Sequence, residues 1–155
     1  MAEIKYYWED FKPGEIFEFG NKLVTREEVV EFASAYDPQP FHLDEEAAKH
    51  SILGGLCASG WHICAMMMRM ICDAYMNETA NLGSPGLDEV RWMKPAYVGD
   101  ILHIKRLCLE SRPSKSNPTM GLTKFQWDIM NDKGAMVAQV TGWGMFVRRT
   151  AGESA

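Results

Sequence analysis

Between positions 61 and 76 the chain runs Trp-His-Ile-Cys-Ala-Met-Met-Met-Arg-Met-Ile-Cys-Asp-Ala-Tyr-Met, apolar throughout except at His62, Arg69 and Asp73. At about 100° per residue these three fall within about 40° of one another, so a helix here carries one thin polar stripe and is apolar elsewhere. Such a helix belongs in the middle of a domain, wrapped on most sides. Arg69 and Asp73, four apart, read as an ion pair along the stripe.

The second half of the chain supplies the wrapping. Positions 87–94, 101–110, 122–131 and 136–146 are rich in β-branched and aromatic residues and partly alternate, the pattern of strands. Breaks fall at 95–100 and 112–118, and Asn131-Asp132-Lys133-Gly134 reads as a hairpin turn. Further upstream, Ile16, Phe17 and Phe19 begin a strand that runs to Leu23. Thr25 followed by Glu28 reads as a capping box, with each side chain satisfying a free backbone N–H. Val29, Val30, Phe32, Ala33 and Tyr36 then follow at helical spacing, which predicts a helix over 26–35. Pro38 and Pro40 stop that helix and stiffen the segment from Asp37 to His42 as a non-helical loop. A second short helix is expected over 44–49, with its acidic residues at the favourable N-terminal end. Helices first and antiparallel strands afterwards make this an α+β chain. The simplest architecture is one curved antiparallel sheet around a central apolar helix of about 60–77.

At 155 residues the chain has the size of one domain, read here as spanning 1–155 with its core over 8–148 and a frayed tail over 150–155. A net charge of −5 without a long basic run argues against a nucleic-acid partner and a polybasic membrane anchor. No apolar run reaches the length of a membrane span, and the first ten residues lack a signal-peptide core. Cys57, Cys64, Cys72 and Cys108 have no C-x-x-C spacing and read as reduced thiols of a cytoplasmic protein.

Two places could carry chemistry. Asp37 and His42 put a carboxylate near a group that titrates close to neutrality, and the prolines between them fix the loop. The same spacing fits a turn cap beside a packed histidine. Gly60 stands where the apolar helix begins, and free N–H groups at a helix N-terminus attract an anion. Gly54, Gly55 and Gly60 equally fit a chain that merely turns and packs closely. His50, His62 and His103 do not fall at metal-ligand spacing, so no metal is implied. Neither a nucleophile elbow nor a glycine-rich phosphate loop is present, and nothing activates Cys57.

The run Phe32-Ala33-Ser34-Ala35-Tyr36-Asp37-Pro38-Gln39-Pro40-Phe41-His42-Leu43-Asp44 resembles the signature of the MaoC-like dehydratases and (R)-specific enoyl-CoA hydratases. Two later stretches agree in order: Leu56-Cys57-Ala58-Ser59-Gly60, and Arg91-Trp92-Met93-Lys94-Pro95-Ala96-Tyr97-Val98-Gly99-Asp100. The resemblance implies a hot-dog fold with an overlay segment of short helices. It implies that Asp37 and His42 hold one water against C3 of a trans-2-enoyl thioester and handle the proton at C2. The product is an (R)-3-hydroxyacyl thioester, or the reverse reaction dehydrates it. The backbone N–H of Gly60 would stabilise the thioester enolate, with Ser59, Gln39 and Tyr36 as substrate-binding neighbours. No cofactor is required, acyl-CoA is the expected substrate, and a homodimer or dimer of dimers is the expected assembly.

The sequence departs from the hydratase pattern at two positions. Tyr36 replaces the glycine before the aspartate, where it would narrow access to the pair, and Gln39 replaces an asparagine, altering the pocket through its longer reach. These departures keep open a non-catalytic acyl-CoA-binding or regulatory module. A hot-dog thioesterase is disfavoured, because Asp73 lies far from the start of the central helix and has Arg69 to pair with.

Overall fold

Residues 120–130 alternate strictly. Gly121, Thr123, Phe125, Trp127 and Ile129 turn inward, and the residues between them are partly exposed. That period of two builds a strand with one face on the core. The computed structural model describes residues 2–149, and the expected frayed tail, 150–155, lies outside them. Five strands, β1 (Ile16–Leu23), β2 (Asn81–Trp92), β3 (Ile101–Pro113), β4 (Met120–Met130) and β5 (Met136–Val147), form one antiparallel sheet in the order β1-β3-β4-β5-β2. The chain therefore has the α+β architecture expected of it, with β1 and β2 at the two edges.

The central helix, α3 (Gly60–Ala74), packs Ile63, Met66, Met67, Met70 and Ile71 against Leu102, Ile104, Phe125, Ile129 and Val140 of the sheet in one continuous core. It is shorter than the expected 60–77: after Tyr75 a 3-10 turn, Met76–Glu78, leads into β2. The wrapping is also one-sided, since Trp61 and Met68 project from α3 with 61% and 43% of their surface exposed. Of the polar stripe, Arg69 Nε bonds Asp73 Oδ2 at 2.9 Å on the surface as expected. His62 instead is buried and stacks on Phe32 at 4.7 Å, and desolvation pushes its pKa down.

Two further helices form the overlay, α1 (Arg26–Tyr36) and α2 (Glu45–Lys49). Thr25 caps α1 by accepting the N–H of Glu28, but the reciprocal half of the capping box is missing because the Glu28 carboxylate pairs with Lys22 at 2.7 Å. Asp44 caps α2, with Oδ1 accepting the Ala47 N–H at 2.8 Å. The segment Pro40–His42 is a 3-10 turn rather than a non-helical loop: Pro at its first position needs no N–H donor, and its φ suits a helical turn. Strand β2 begins six residues before the expected 87, because Gly83 and Gly86 (positive φ) are taken up as irregularities in its pairing with β5 instead of ending the strand. The hairpin turn is as expected, with Asn131 N–H bonded to the Ala135 carbonyl and Gly134 at φ 77°.

One turn ties the parts that surround the site. Asp100 is buried; its Oδ2 accepts the Tyr97 N–H at 3.0 Å and its Oδ1 accepts Lys133 Nζ at 2.6 Å. Backbone bonds Ala58 N–H to Ala96 O (2.9 Å) and Val98 N–H to Leu56 O (3.2 Å) then fix the stretch that delivers the chain into α3. Among the described residues no helix is long and apolar enough to cross a membrane.

Phe125 is fully buried between Phe11, Trp127 and Phe146. Phe125→Ala should lower unfolding free energy by about 3–5 kcal/mol in urea denaturation, while a change under about 1 kcal/mol would mean that the core is not organised around this strand.

Candidate functional site

Asp37 is the residue at which α1 ends. Its N–H closes on Ala33 O at 2.9 Å, and its backbone (φ −150°, ψ 66°) turns the chain out of the helix before Pro38. Five residues on, the 3-10 turn brings a buried His42 back beside Asp37. His42 Nδ1 lies 2.9 Å from the carbonyl oxygen of Cys57. A carbonyl only accepts, so Nδ1 carries the proton and, in the neutral ring, Nε2 presents a lone pair. Nε2 stands 3.5 Å from Asp37 Oδ2.

The carboxylate has two donors of its own. Gln39 Nε2 donates to Oδ1 and Ser59 Oγ donates to Oδ2, each at 2.6 Å. The Ser59 bond is the main cause that holds the Asp37 carboxyl below its usual range; Gln39 and the nearby His42 add to it, while partial burial opposes them. Asp37 is therefore ionised at neutral pH and can only accept. Because its folded value lies below its free value, these bonds stabilise the fold above the ordinary carboxylate range, and that contribution is lost as pH falls through the lower folded value.

Ser59 is the N-cap residue of α3, yet its side chain makes no capping bond. A serine there ordinarily contributes about 1 kcal/mol by accepting an N–H of the first turn. The first helical bond runs from Ile63 N–H to Ser59 O at 3.0 Å, so the N–H groups of Gly60, Trp61 and His62 have no helical acceptor. Gly60 is also sterically required: a Cβ there would lie 2.5–2.8 Å from the indole of Trp92, whose Nε1 donates to Gly60 O at 3.0 Å. Close packing and an open helix N-terminus thus coincide at one residue.

Asp37, Gln39, His42 and Gly60 line one cavity of about 550 Å³, otherwise walled mainly by apolar side chains including Phe41, Leu53, Ile63, Trp61, Trp92 and Met93. It can hold an apolar chain beside a small polar focus. Ser59 sits behind that wall, fully buried, with its hydroxyl on Asp37 rather than turned to a ligand. Tyr36 is 77% exposed and lines a separate depression with Phe32 and His62, so in this chain it does not narrow access to the pair. Three contributors were not foreseen: the Cys57 carbonyl that sets the His42 tautomer, Trp92 over Gly60, and Tyr97, whose hydroxyl donates to Leu53 O and pins the cavity's loop. The last two lie in a stretch already singled out in the sequence; a backbone carbonyl leaves no signal there. The thiol of Cys57, buried, is pushed up to about 11 and is unsuited to attack.

Residues 10–125 match the sequence profile of the MaoC like domain. A MaoC-like dehydratase from Rhodospirillum rubrum is 36% identical, with a TM-score of 0.85, and the match covers 95% of this chain and all of that one (100%). The unliganded (R)-hydratase PhaJ1 from Pseudomonas aeruginosa shares the fold at 18% identity, with a TM-score of 0.75 over 96% of this chain and 90% of its own. YdeM, an uncharacterized protein of Bacillus subtilis, is 24% identical over 129 residues, which span 83% of this chain and 90% of that one.

Nitrogen-15 NMR of His42 should show protonated Nδ1 and bare Nε2 in the neutral ring. The opposite tautomer would mean that the Cys57 carbonyl does not set the ring.

Proposed function

The chain belongs to the MaoC-like domain family, and on that premise we propose that it adds water to a trans-2-enoyl thioester, or removes it from an (R)-3-hydroxyacyl thioester. The reading is carried by the facing of two acceptors. Asp37 Oδ2 and His42 Nε2 stand 3.5 Å apart, too far for a good direct hydrogen bond, and in the neutral tautomer set by Cys57 both are acceptors. A water molecule supplies what the pair lacks, donating one O–H to each and keeping its lone pairs free.

In the hydration direction, the water oxygen attacks C3 while His42 Nε2 takes one of its protons. The imidazolium that forms faces the Asp37 carboxylate, which stabilises it. Electron density moves onto the thioester oxygen, and the enolate is met by the Gly60 N–H at the positive end of α3. His42 then returns the proton to C2, on the face from which the hydroxyl arrived, giving syn addition. Atoms balance: hydroxyl on C3, hydrogen on C2, His42 neutral again. The thioester acidifies C2, so these residues suffice for the chemistry proposed. The apolar wall of the cavity fits an acyl chain, and CoA is the carrier we take as the working substrate.

The arrangement bears on the competing readings. Asp73 lies on the surface beside Arg69, away from the cavity, and offers no base for a thioesterase. Of the two departures that keep a binding module open, Tyr36 stands outside the cavity and Gln39 lines it with its amide on Asp37. A second copy of the chain fits the exposed edge at β2, where Leu82, Leu87 and Trp92 are about half exposed and Trp92 packs on the exposed Trp61 of α3. Edge strands with apolar side chains call for such a cover.

Loss of enoyl-thioester absorbance with crotonyl-CoA and a longer trans-2-enoyl-CoA tests the proposal. Native protein should turn over one of them to the (R)-3-hydroxy product. Folded Asp37→Asn and His42→Ala variants should each lose at least about a hundredfold in kcat. Saturable binding without turnover at either chain length would replace this reading with the binding module.

A further inference from the structure

Ser59 is buried, points its only proton at Asp37, and in doing so leaves the helix it begins uncapped. We propose that Ser59 is a positioning residue that binds the two halves of the site together: its hydroxyl holds the Asp37 carboxylate while its backbone starts the helix whose free N–H groups receive the enolate. The kinetic part of this assignment rests on the hydratase reading; the structural part does not.

The geometry explains why one residue should do both. Asp37 is carried by α1 and its following turn, whereas Gly60 is carried by α3. The water held at the carboxylate and the N–H that meets the enolate must act on adjacent parts of one thioester. A displacement of about 1 Å between such groups can cost about a hundredfold in rate. Ser59 spans the gap directly, accepting the Ile63 N–H on its carbonyl at 3.0 Å and donating its hydroxyl to Oδ2 at 2.6 Å. An ordinary capping serine would turn the same hydroxyl onto the first turn of α3, occupying an N–H of the anion site and leaving Asp37 with one fewer donor.

Gln39 completes the clamp from the other side. Its amide donates to Oδ1 at 2.6 Å, so each carboxylate oxygen has one fixed donor and keeps capacity for the water. On this view Ser59 and Gln39 hold the carboxylate and do not bind substrate, which changes the role expected of them from the sequence. The titratable and charged groups that line the cavity with Asp37 are His42 of the 3-10 turn, Cys57 from the stretch before α3, and Lys94 after β2.

The test pairs a titration with kinetics. The Asp37 carboxyl carbon, assigned by its loss in Asp37→Asn, is followed by carbon-13 NMR against pH in native protein, Ser59→Ala and Gln39→Ala. Melting curves establish that each variant is folded, and exposed Gln39 provides a variant that does not disturb the core. Removal of the Ser59 donor should raise the midpoint by about one pH unit or more, with a smaller rise in the same direction for Gln39→Ala. With crotonyl-CoA, or whichever enoyl-CoA the native protein hydrates, Ser59→Ala should lower kcat by about ten- to a hundredfold with KM within about twofold. An unmoved Asp37 midpoint overturns the proposal. A raised KM with unchanged kcat also overturns it, because Ser59 would then be a substrate contact. Absence of turnover by the native protein would sink the hydratase reading alone, since the titration still decides whether Ser59 holds Asp37.

Discussion

Everything in this fold is arranged around the need to bury α3. A helix with Ile63, Met66, Met67, Met70 and Ile71 on its inner face cannot stand in water. The five-stranded sheet supplies the apolar surface that covers it, with alternating residues of β3, β4 and β5 turned toward the helix. Burial along its length fixes where the helix starts. The start is held a second time by the backbone bonds that tie Leu56 and Ala58 to Val98 and Ala96. A rigid N-terminus is what a site for transient negative charge requires, because its donors need no reorganisation when the charge appears.

The polar part of the site is small and almost fully committed. His42 spends its Nδ1 proton on the Cys57 carbonyl, Ser59 and Gln39 each spend a proton on Asp37, and Trp92 spends its N–H on Gly60 O. What is left uncommitted is one lone pair on His42, lone pairs on Asp37, and the N–H groups at the head of α3. These are the functions that a hydration needs, two acceptors for a water and a donor for an enolate. In the proposed hydration the donors of Asp37, Ser59 first, keep it an ionised acceptor that orients the water, and the proton transfer falls to the imidazole.

Much of this was legible in the sequence, for identifiable reasons. Helix α3 is legible because its apolar run is interrupted only by one thin polar stripe, and the strands because they are rich in β-branched and aromatic residues and partly alternate. The α1 terminus at Asp37 was marked by Pro38. Strand β2 was read short because Gly83, Pro85 and Gly86 look like a turn in sequence, whereas the sheet absorbs them as irregular pairing at an edge. His62 belongs by spacing to the polar stripe, but Phe32 of α1 covers its ring. At the site, Asp37, His42 and Gly60 stand out by residue type and position, and the family resemblance adds their expected roles and Gln39. Ser59 was named for contact with substrate, and its bond to Asp37 was invisible because it joins positions 22 apart in sequence through tertiary structure alone. Tyr36, expected to narrow access to the pair, is the last residue of α1 and lines a separate depression.

The most direct measurement of the central claim is the stereochemistry of hydration in deuterium oxide. A single water held by Asp37 and His42, with His42 returning the proton from the same side, delivers hydroxyl to C3 and deuterium to C2 on one face. The product should be the (R)-3-hydroxyacyl thioester carrying one deuterium at C2 in a single configuration, that of syn addition. Anti addition, or deuterium scrambled between both C2 positions at the earliest times, would contradict a single water and a single proton carrier.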